Sequence, residues 1–590
     1  MRYVVLITIL TMLGFTLASS LALAAGAGAA ALPQGYPGSH QYDYVIVGGG
    51  VAGMVIAEQL SQDANTTVLL LEAGPDGTNS AAINTPGEAY STWTTQYAWN
   101  YTSTPQPTLN GAAPALQQGH ALGGGSAINI MAYCRGAPSV FDQWAEESGD
   151  PGLKWENLFN DFKATVHYEN TTTGPQDHLN ASAYGDGPLA VTSEIIENGF
   201  TNHFHNALAS GLGLQDRDLN AGYGIGNNRA SAETIRSSNR TRDYALEAYG
   251  WSMAGRPNAH ILPHAWASKI NFEGNRAVSV DYVVGANNKS QMACGREIIV
   301  TSGAINTPKL LMLSGIGPAK HLRDFNIPVV LDAPAVGGNL YDHHFPVLEY
   351  EVYPNITTSF QQQNKTYLDE ITAEYKDNAT GPLANIGTSF ALARIPDDVL
   401  IANNDTFHLA IPKDRGHLLF QYGSSPQIMP APNVSIITVW CALVQPEAAG
   451  HVRLNSSDFR VAPLIESNYY GSKNDMSAIF WGYKKLRSIM ESPDFDGVVK
   501  REVYPGSNVT SDADVMDALK AGSKSFHHVL GSVSLGKVLD KHFRVKGLEG
   551  LRVADSSSFP YPPTCHTQSD TYAVAHRVAR MIRDEEKSNR

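Results

Sequence analysis

Cysteine is scarce in this chain: 4 in 590 residues, at Cys134, Cys294, Cys441 and Cys565. That is no disulfide framework, and a chain of this length does not need one. One bridge is possible, but buried free thiols are the expected state. An excess of positive charge is missing too. Lys and Arg number 42 against 56 Asp and Glu, a formal net charge of −14. That balance argues against nucleic acid or an anionic membrane surface as a partner. No Cys-x-x-Cys pair occurs, and no metal is expected. After the N-terminus no second long apolar run appears, so no membrane span is expected.

What the chain does have is bulk. Its 43% hydrophobic and 17% charged residues suit a large globular core. The length alone predicts roughly three to four structural units. Residues 1–25 carry the marks of a secretory signal: Arg2, then an apolar run from Val4 to Leu17, then small residues at Ala18, Ala22, Ala24 and Ala25. An anchoring helix is the alternative, and the small residues that break up its end favour the signal. Asn-x-Ser/Thr recurs along the chain from Asn65 to Asn508, a density that fits a secreted chain with N-linked glycans.

The chemistry begins at Tyr44-Val45-Ile46-Val47-Gly48-Gly49-Gly50-Val51-Ala52-Gly53. Asp43 to Val47 reads as a buried strand, Val51 to Leu60 as a helix, and Thr67 to Leu71 as a second strand that ends at Glu72. This is a βαβ unit whose glycines have separate tasks. Gly48 permits the turn, Gly50 lets backbone approach a pyrophosphate, and Gly53 lets helix and strand pack closely. The helix N-terminus offers free N–H groups to phosphate. Glu72 is placed to accept from ribose hydroxyls. A dinucleotide site follows, and NAD and FAD remain open on this unit alone.

Four further stretches narrow it. Gly119-His120-Ala121-Leu122-Gly123-Gly124-Gly125-Ser126-Ala127-Ile128-Asn129 exposes backbone N–H groups to an anion. The stretch from Ser302 to Pro318 follows an apolar strand at Glu297 to Val300. In it, Pro308 suits the first turn of a helix and Gly315 its end. Val336-Gly337-Gly338-Asn339-Leu340-Tyr341-Asp342-His343-His344 and Gly550-Leu551-Arg552-Val553-Ala554-Asp555 complete the set. Together these resemble the signature regions of the glucose–methanol–choline (GMC) family of FAD-dependent oxidoreductases, in order and spacing, over nearly the whole chain past residue 40.

The resemblance implies an α/β fold: a discontinuous Rossmann-like FAD-binding domain and an α+β substrate-binding domain with a large sheet and flanking helices. The FAD-binding parts would be 40–200, 225–335 (with substrate-domain insertions) and 531–590, and the substrate-binding domain 336–530. By motif position, the cofactor contacts would be Gly48, Gly50, Gly53, Glu72, Gly123, Ser126, Asn129, Ala267 and Asp555. FAD would be held without a covalent bond, since His120 does not match a tethering register. Departures from the family pattern are Ser532, Val533, Leu535, Ala448-Ala449 and His576.

The resemblance places a catalytic histidine ahead of Gly531-Ser532-Val533-Ser534-Leu535-Gly536, hence at His528, with a second at His566. His527 is the register alternative; on an extended chain neighbours face opposite ways, so only one of the two would address the flavin. His343 and His344 are expected to hydrogen-bond locally. Histidine suits the task because it is a base near neutral pH. It would take an alcohol's proton while hydride moves to flavin N5. The implied function is a secreted FAD-dependent alcohol oxidase or dehydrogenase, with O2, a quinone or another electron acceptor. A lyase or cyclase of the same fold, with FAD bound and no net oxidation, is the alternative. The aromatics Trp440, Trp481, Tyr469 and Tyr470 suit either an apolar pocket or a core.

Overall fold

The computed structural model describes residues 41–589, apart from 171–177, 194–198, 229–231, 286–288, 355, 358–363, 387–388 and 429–433. The expected signal segment, 1–25, lies outside the described residues.

β1 (Gln41–Val47), α1 (Val51–Leu60) and β2 (Val68–Leu71) form the expected βαβ unit. The chain then crosses to a second sheet, where α2 (Thr201–Leu212) and β3 (Gly226–Asn228) lie. It returns through β4 (Ala259–Leu262), β5 (Ala265–Glu273), β6 (Arg276–Val284) and β7 (Lys289–Val300). α3 (Gly303–Leu313) leads away from β7. The second sheet is built from β8 (His344–Val352), β9 (Phe390–Ala393), β10 (Leu418–Gly423) and β11 (Ile436–Leu443). Behind it lies α4 (Lys473–Met490), and β12 (Val499–Tyr504) and β13 (Ser523–Ser525) finish it. β14 (Leu551–Val553) and α5 (Gln568–Asn589) go back to the first sheet.

The first sheet runs β4-β2-β1-β7-β6-β5, with β14 also on β7. β4, β2, β1, β7 and β14 are parallel, and helices cover them, so their residues are apolar on both faces. β7 serves two neighbours along one edge: antiparallel β6 against its first half, parallel β14 against Ile298–Val300. The second sheet is antiparallel, in order β12-β8-β11-β10-β9-β3, with β13 also on β8. One face of it packs on α4, where Ile437, Val439 and Cys441 meet Ile479, Tyr483 and Leu486. The other face presents Phe345, Trp440 and Phe390 toward the first domain.

Gly226–Asn228 lies in the second sheet, so that sheet draws on chain before residue 336. A Gly-Asn-Asn strand carries no apolar alternation to announce it. Pro308 sits inside α3 rather than in its first turn. Its missing N–H would orphan the carbonyl of Ala304; the Ser532 hydroxyl donates to that oxygen instead, at 2.6 Å. Cys134 and Cys565 are not free thiols but a disulfide between residues 431 apart in sequence. Cys441 is a buried free thiol, and Cys294 a half-buried one.

No helix of the described residues is long and apolar enough to cross a membrane. The His576 ring bonds Asp161 at 2.8 Å and so ties α5 to the chain before the second sheet.

Candidate active site

The glycine turn is shaped by contact. Gly48 has φ +115°, and a Cβ there would stand 2.4 Å from the Thr301 carbonyl oxygen. A Cβ on Gly53 would stand 2.0 Å from the Gly48 oxygen, so α1 seats against the turn only with glycine there. Gly50 differs. A Cβ there meets nothing nearer than the Gly124 Cα at 3.8 Å, and one on Gly125 or Gly303 meets nothing within 4 Å. These three point open backbone into a cavity of about 650 Å³. Gly50 caps α1 without a side-chain hydrogen bond, which leaves the helix N–H groups to a ligand.

Seven of the nine expected cofactor contacts line that cavity: Gly48, Gly50, Glu72, Ser126, Asn129, Ala267 and Asp555. Gly53 and Gly123 do not. Gly53 packs α1, and Gly123 (φ +95°) braces the turn by donating its N–H to the Gly49 oxygen at 2.8 Å. The Glu72 carboxylate accepts from Gly49 N at 2.7 Å and Gly74 N at 2.8 Å. Burial pushes it up to about 7, against those hydrogen bonds. Asp555 accepts from Gly303 N at 2.9 Å and Thr307 Oγ1 at 2.7 Å, which joins the C-terminal motif to the start of α3. His120 is not among the lining residues; its ring lies 3.9 Å from that of Trp99. His260 and His264 share a four-residue spacing, but it spans a strand end and a turn, not one helix face.

The same cavity is lined at its other end by His527, His528 and His566. His527 and His528 both face it because His527 takes φ +61°, which breaks the alternation of an extended chain. Their surroundings differ. The His527 ring packs edge-on against Trp93, centroids 4.8 Å apart. The His528 ring stacks on Phe526 at 4.7 Å and joins two other imidazoles. Its Nδ1 lies 3.0 Å from Nδ1 of His343, and its Nε2 lies 3.4 Å from Nδ1 of His566. His343 therefore has a site contact as well, where only local bonding was expected. His344 does bond locally, to the Asp342 oxygen at 3.3 Å.

Asp342 organises this end. Its carboxyl accepts from His528 N at 2.8 Å, from Ser525 Oγ at 2.5 Å and from the Tyr469 hydroxyl. Burial raises it to about 7. His566 is placed by the disulfide at the preceding residue, and its N–H points to Cys134 Sγ at 3.4 Å. Burial pushes the imidazoles down: His566 to about 3, and His343 to about 3 with help from the field of His566. His528 falls well below its ordinary value through burial first, then the fields of His343, His566 and His527. All three are neutral at pH 7, so each ring has one N–H and one lone pair.

Two functional positions escaped the motif search, Asp342 and His343. Both lie in a stretch singled out for a different reason, and nothing in sequence says that β13 pairs with β8 there, His344 opposite Ser525. Of the four aromatics weighed for a pocket, Trp440 lines the cavity, whereas Tyr469 and Tyr470 are core and Trp481 packs against that core.

Open glycine backbone, an uncapped helix start and a buried acid directly after the second strand fit an anionic dinucleotide. Comparison with known proteins agrees. Residues 42–345 match the N-terminal region of GMC oxidoreductases, and residues 446–575 the C-terminal region. The chain is similar to a pyranose dehydrogenase of Agaricus xanthodermus, at 30% identity over 93% of this chain and 94% of that one. It is similar to an oxygen-dependent choline dehydrogenase of Pseudomonas aeruginosa at 32%, covering 92% and 95%. Among solved structures, a formate oxidase superposes with TM-score 0.86 at 26% identity, covering 94% of this chain and all of that one. The pyridoxine 4-oxidase of Mesorbium loti gives 0.78 at 26%, covering 92% and 99%. The chain belongs to the glucose–methanol–choline family of oxidoreductases, and FAD is its cofactor.

Proposed function

We propose that this protein is a secreted enzyme that oxidises an alcohol at its CH–OH group, with His528 as the base and His566 as the partner that orients the hydroxyl. One observation carries the reading: both imidazoles line the cavity whose far end is the Gly48–Gly50 turn. Bound FAD would supply the hydride acceptor, N5 of its ring system, with O2, a quinone or another acceptor as the oxidant. The chain's own residues then have defined tasks. An alcohol is a poor hydride donor and its alkoxide a good one, so the O–H proton must leave as hydride moves. A neutral His528 takes that proton at Nε2. For Nε2 to hold a lone pair, the ring proton must sit on Nδ1, and His343 Nδ1 at 3.0 Å is the acceptor that holds it there. His343 then carries its own proton on Nε2, on the side of the ring where the backbone of Val444 and Pro563 favours a bound proton.

Entry to the secretory pathway is supported by the N-terminal segment and by surface placement of the sequons. Every sequon asparagine within the described residues, from Asn65 to Asn508, is exposed; Asn288, Asn355 and Asn433 lie outside them.

The test is anaerobic mixing of purified, yellow protein with a panel of alcohols. Loss of flavin colour with at least one alcohol, slowed in His528→Ala and His566→Ala, is the expected result. Turnover without bleaching would instead assign the site to a lyase or cyclase.

A further inference from the structure

Two lysines line the cavity, one at each end. Lys309 lies beside Trp266, and its Nζ donates to the Phe459 oxygen at 2.6 Å. Lys524, on β13, is different. Its Nζ has no hydrogen bond and no acid within the 4.0 Å of an ion pair among the described residues. It is more than half withdrawn from solvent, and burial lowers its pKa. The acid whose field reaches it, Glu349, is engaged elsewhere: its carboxylate accepts Gln427 N at 2.5 Å and Ile428 N at 2.7 Å.

Sheet register says where Lys524 points. It stands opposite Phe345 on β8, and Val347 stands opposite Trp440 on β11. Opposed residues share a face, and so do residues two apart. Lys524, Phe345 and Trp440 thus share the face that looks onto the cavity, and all three line it. The walls there are flat: Phe345 packs on Trp440 at 5.1 Å and on Phe526 at 5.0 Å, and Phe526 stacks on His528. Trp440 is 3% exposed, and its Nε1 has no hydrogen-bond partner. The Lys524 ammonium has no side-chain or backbone acceptor among the described residues, and its field reaches His527, the neighbour of the proposed base. In a chain of net charge −14, that cation is no part of a general basic surface. Withdrawing a charge from water without a counter-charge is unfavourable, and a ligand that brings the opposite charge offsets it.

We propose that the substrate is an aromatic or conjugated alcohol that carries a carboxylate, held with its hydroxyl at His528, its plane against the wall formed by Phe345, Trp440 and Phe526, and its carboxylate on Lys524. This assignment rests on the alcohol-oxidation reading above but is tested apart from it, by binding.

The FAD-loaded protein is titrated with benzoate and with benzamide, a neutral ligand of the same shape, and binding is read from the change in the flavin absorption spectrum. Benzoate is expected to bind about tenfold tighter or better. The preference disappears in Lys524→Met and survives in Lys524→Arg. Equal binding of the two ligands by the native protein would overturn the proposal, and so would a preference that persists in Lys524→Met. The same comparison in turnover uses para-hydroxymethylbenzoate and its primary amide, with the difference expected mainly in KM. If benzoate binds as expected but no alcohol bleaches the flavin, the anion site stands and the alcohol-oxidation reading fails.

Discussion

An imidazole is a base only where its lone pair meets the proton, and His528 obtains that orientation from its neighbours rather than from its own backbone. His528→Ala is expected to lower kcat by roughly 10²–10⁴-fold. The yellow colour should be kept, because the residue is remote from the glycine turn. Single-turnover flavin reduction measures the first, absorbance of the purified protein the second. Because burial holds the His528 pKa well below 6.5, the neutral, active form prevails from alkaline pH down through neutrality. The profile of kcat/KM should be flat there and fall only as pH drops toward that depressed value. His343→Leu removes the Nδ1 acceptor and is expected to cost about tenfold or more in kcat with little change in KM. His343→Gln, whose amide oxygen accepts, should recover most of it. At this scale the sequence was partly legible. Motif spacing pointed to His528 and His566, whose rings meet at Nε2 and Nδ1. It was silent on His343, whose role exists only because two strands far apart in the chain lie side by side.

Where an element's identity depends on local chemistry, it could be read ahead of the structure. α1 spans Val51–Leu60 as its apolar run and glycine start predict. α4 begins at Lys473, because Ser472 caps it by accepting from Asp475 N at 3.0 Å. Where identity depends on a distant partner, it could not. Pro308 within α3 is tolerated because a hydroxyl from another segment takes the place of the lost N–H. Ser532→Ala leaves the Ala304 carbonyl buried without a donor, a loss of about 1–3 kcal/mol. The expected outcome is a lower thermal midpoint with unchanged flavin content at 25 °C, measured by calorimetry and absorbance. A Ser532→Thr variant, which keeps the hydroxyl, should lose less. β3 was illegible for the complementary reason: Asn227 and Asn228 are buried, yet neither is apolar.

Across the whole molecule, the two domains are interleaved rather than consecutive. The Cys134–Cys565 disulfide joins residues 431 apart in sequence, immediately before His566. Replacing both cysteines by serine is expected to destabilise the protein by about 2–5 kcal/mol. It should also loosen His566, so that flavin reduction slows in the folded variant even where colour is retained; denaturation and stopped-flow absorbance report the two effects separately. The last strand, β14, covers the edge of β7 at Ile298–Val300. A ribosome that has not yet passed residue 553 therefore holds a nascent chain with an unpaired sheet edge and neither the Asp555 clasp nor the second imidazole in place. Biosynthesis is all-or-nothing up to that point: an N-terminal fragment that stops short of His566 is expected to be no smaller working enzyme.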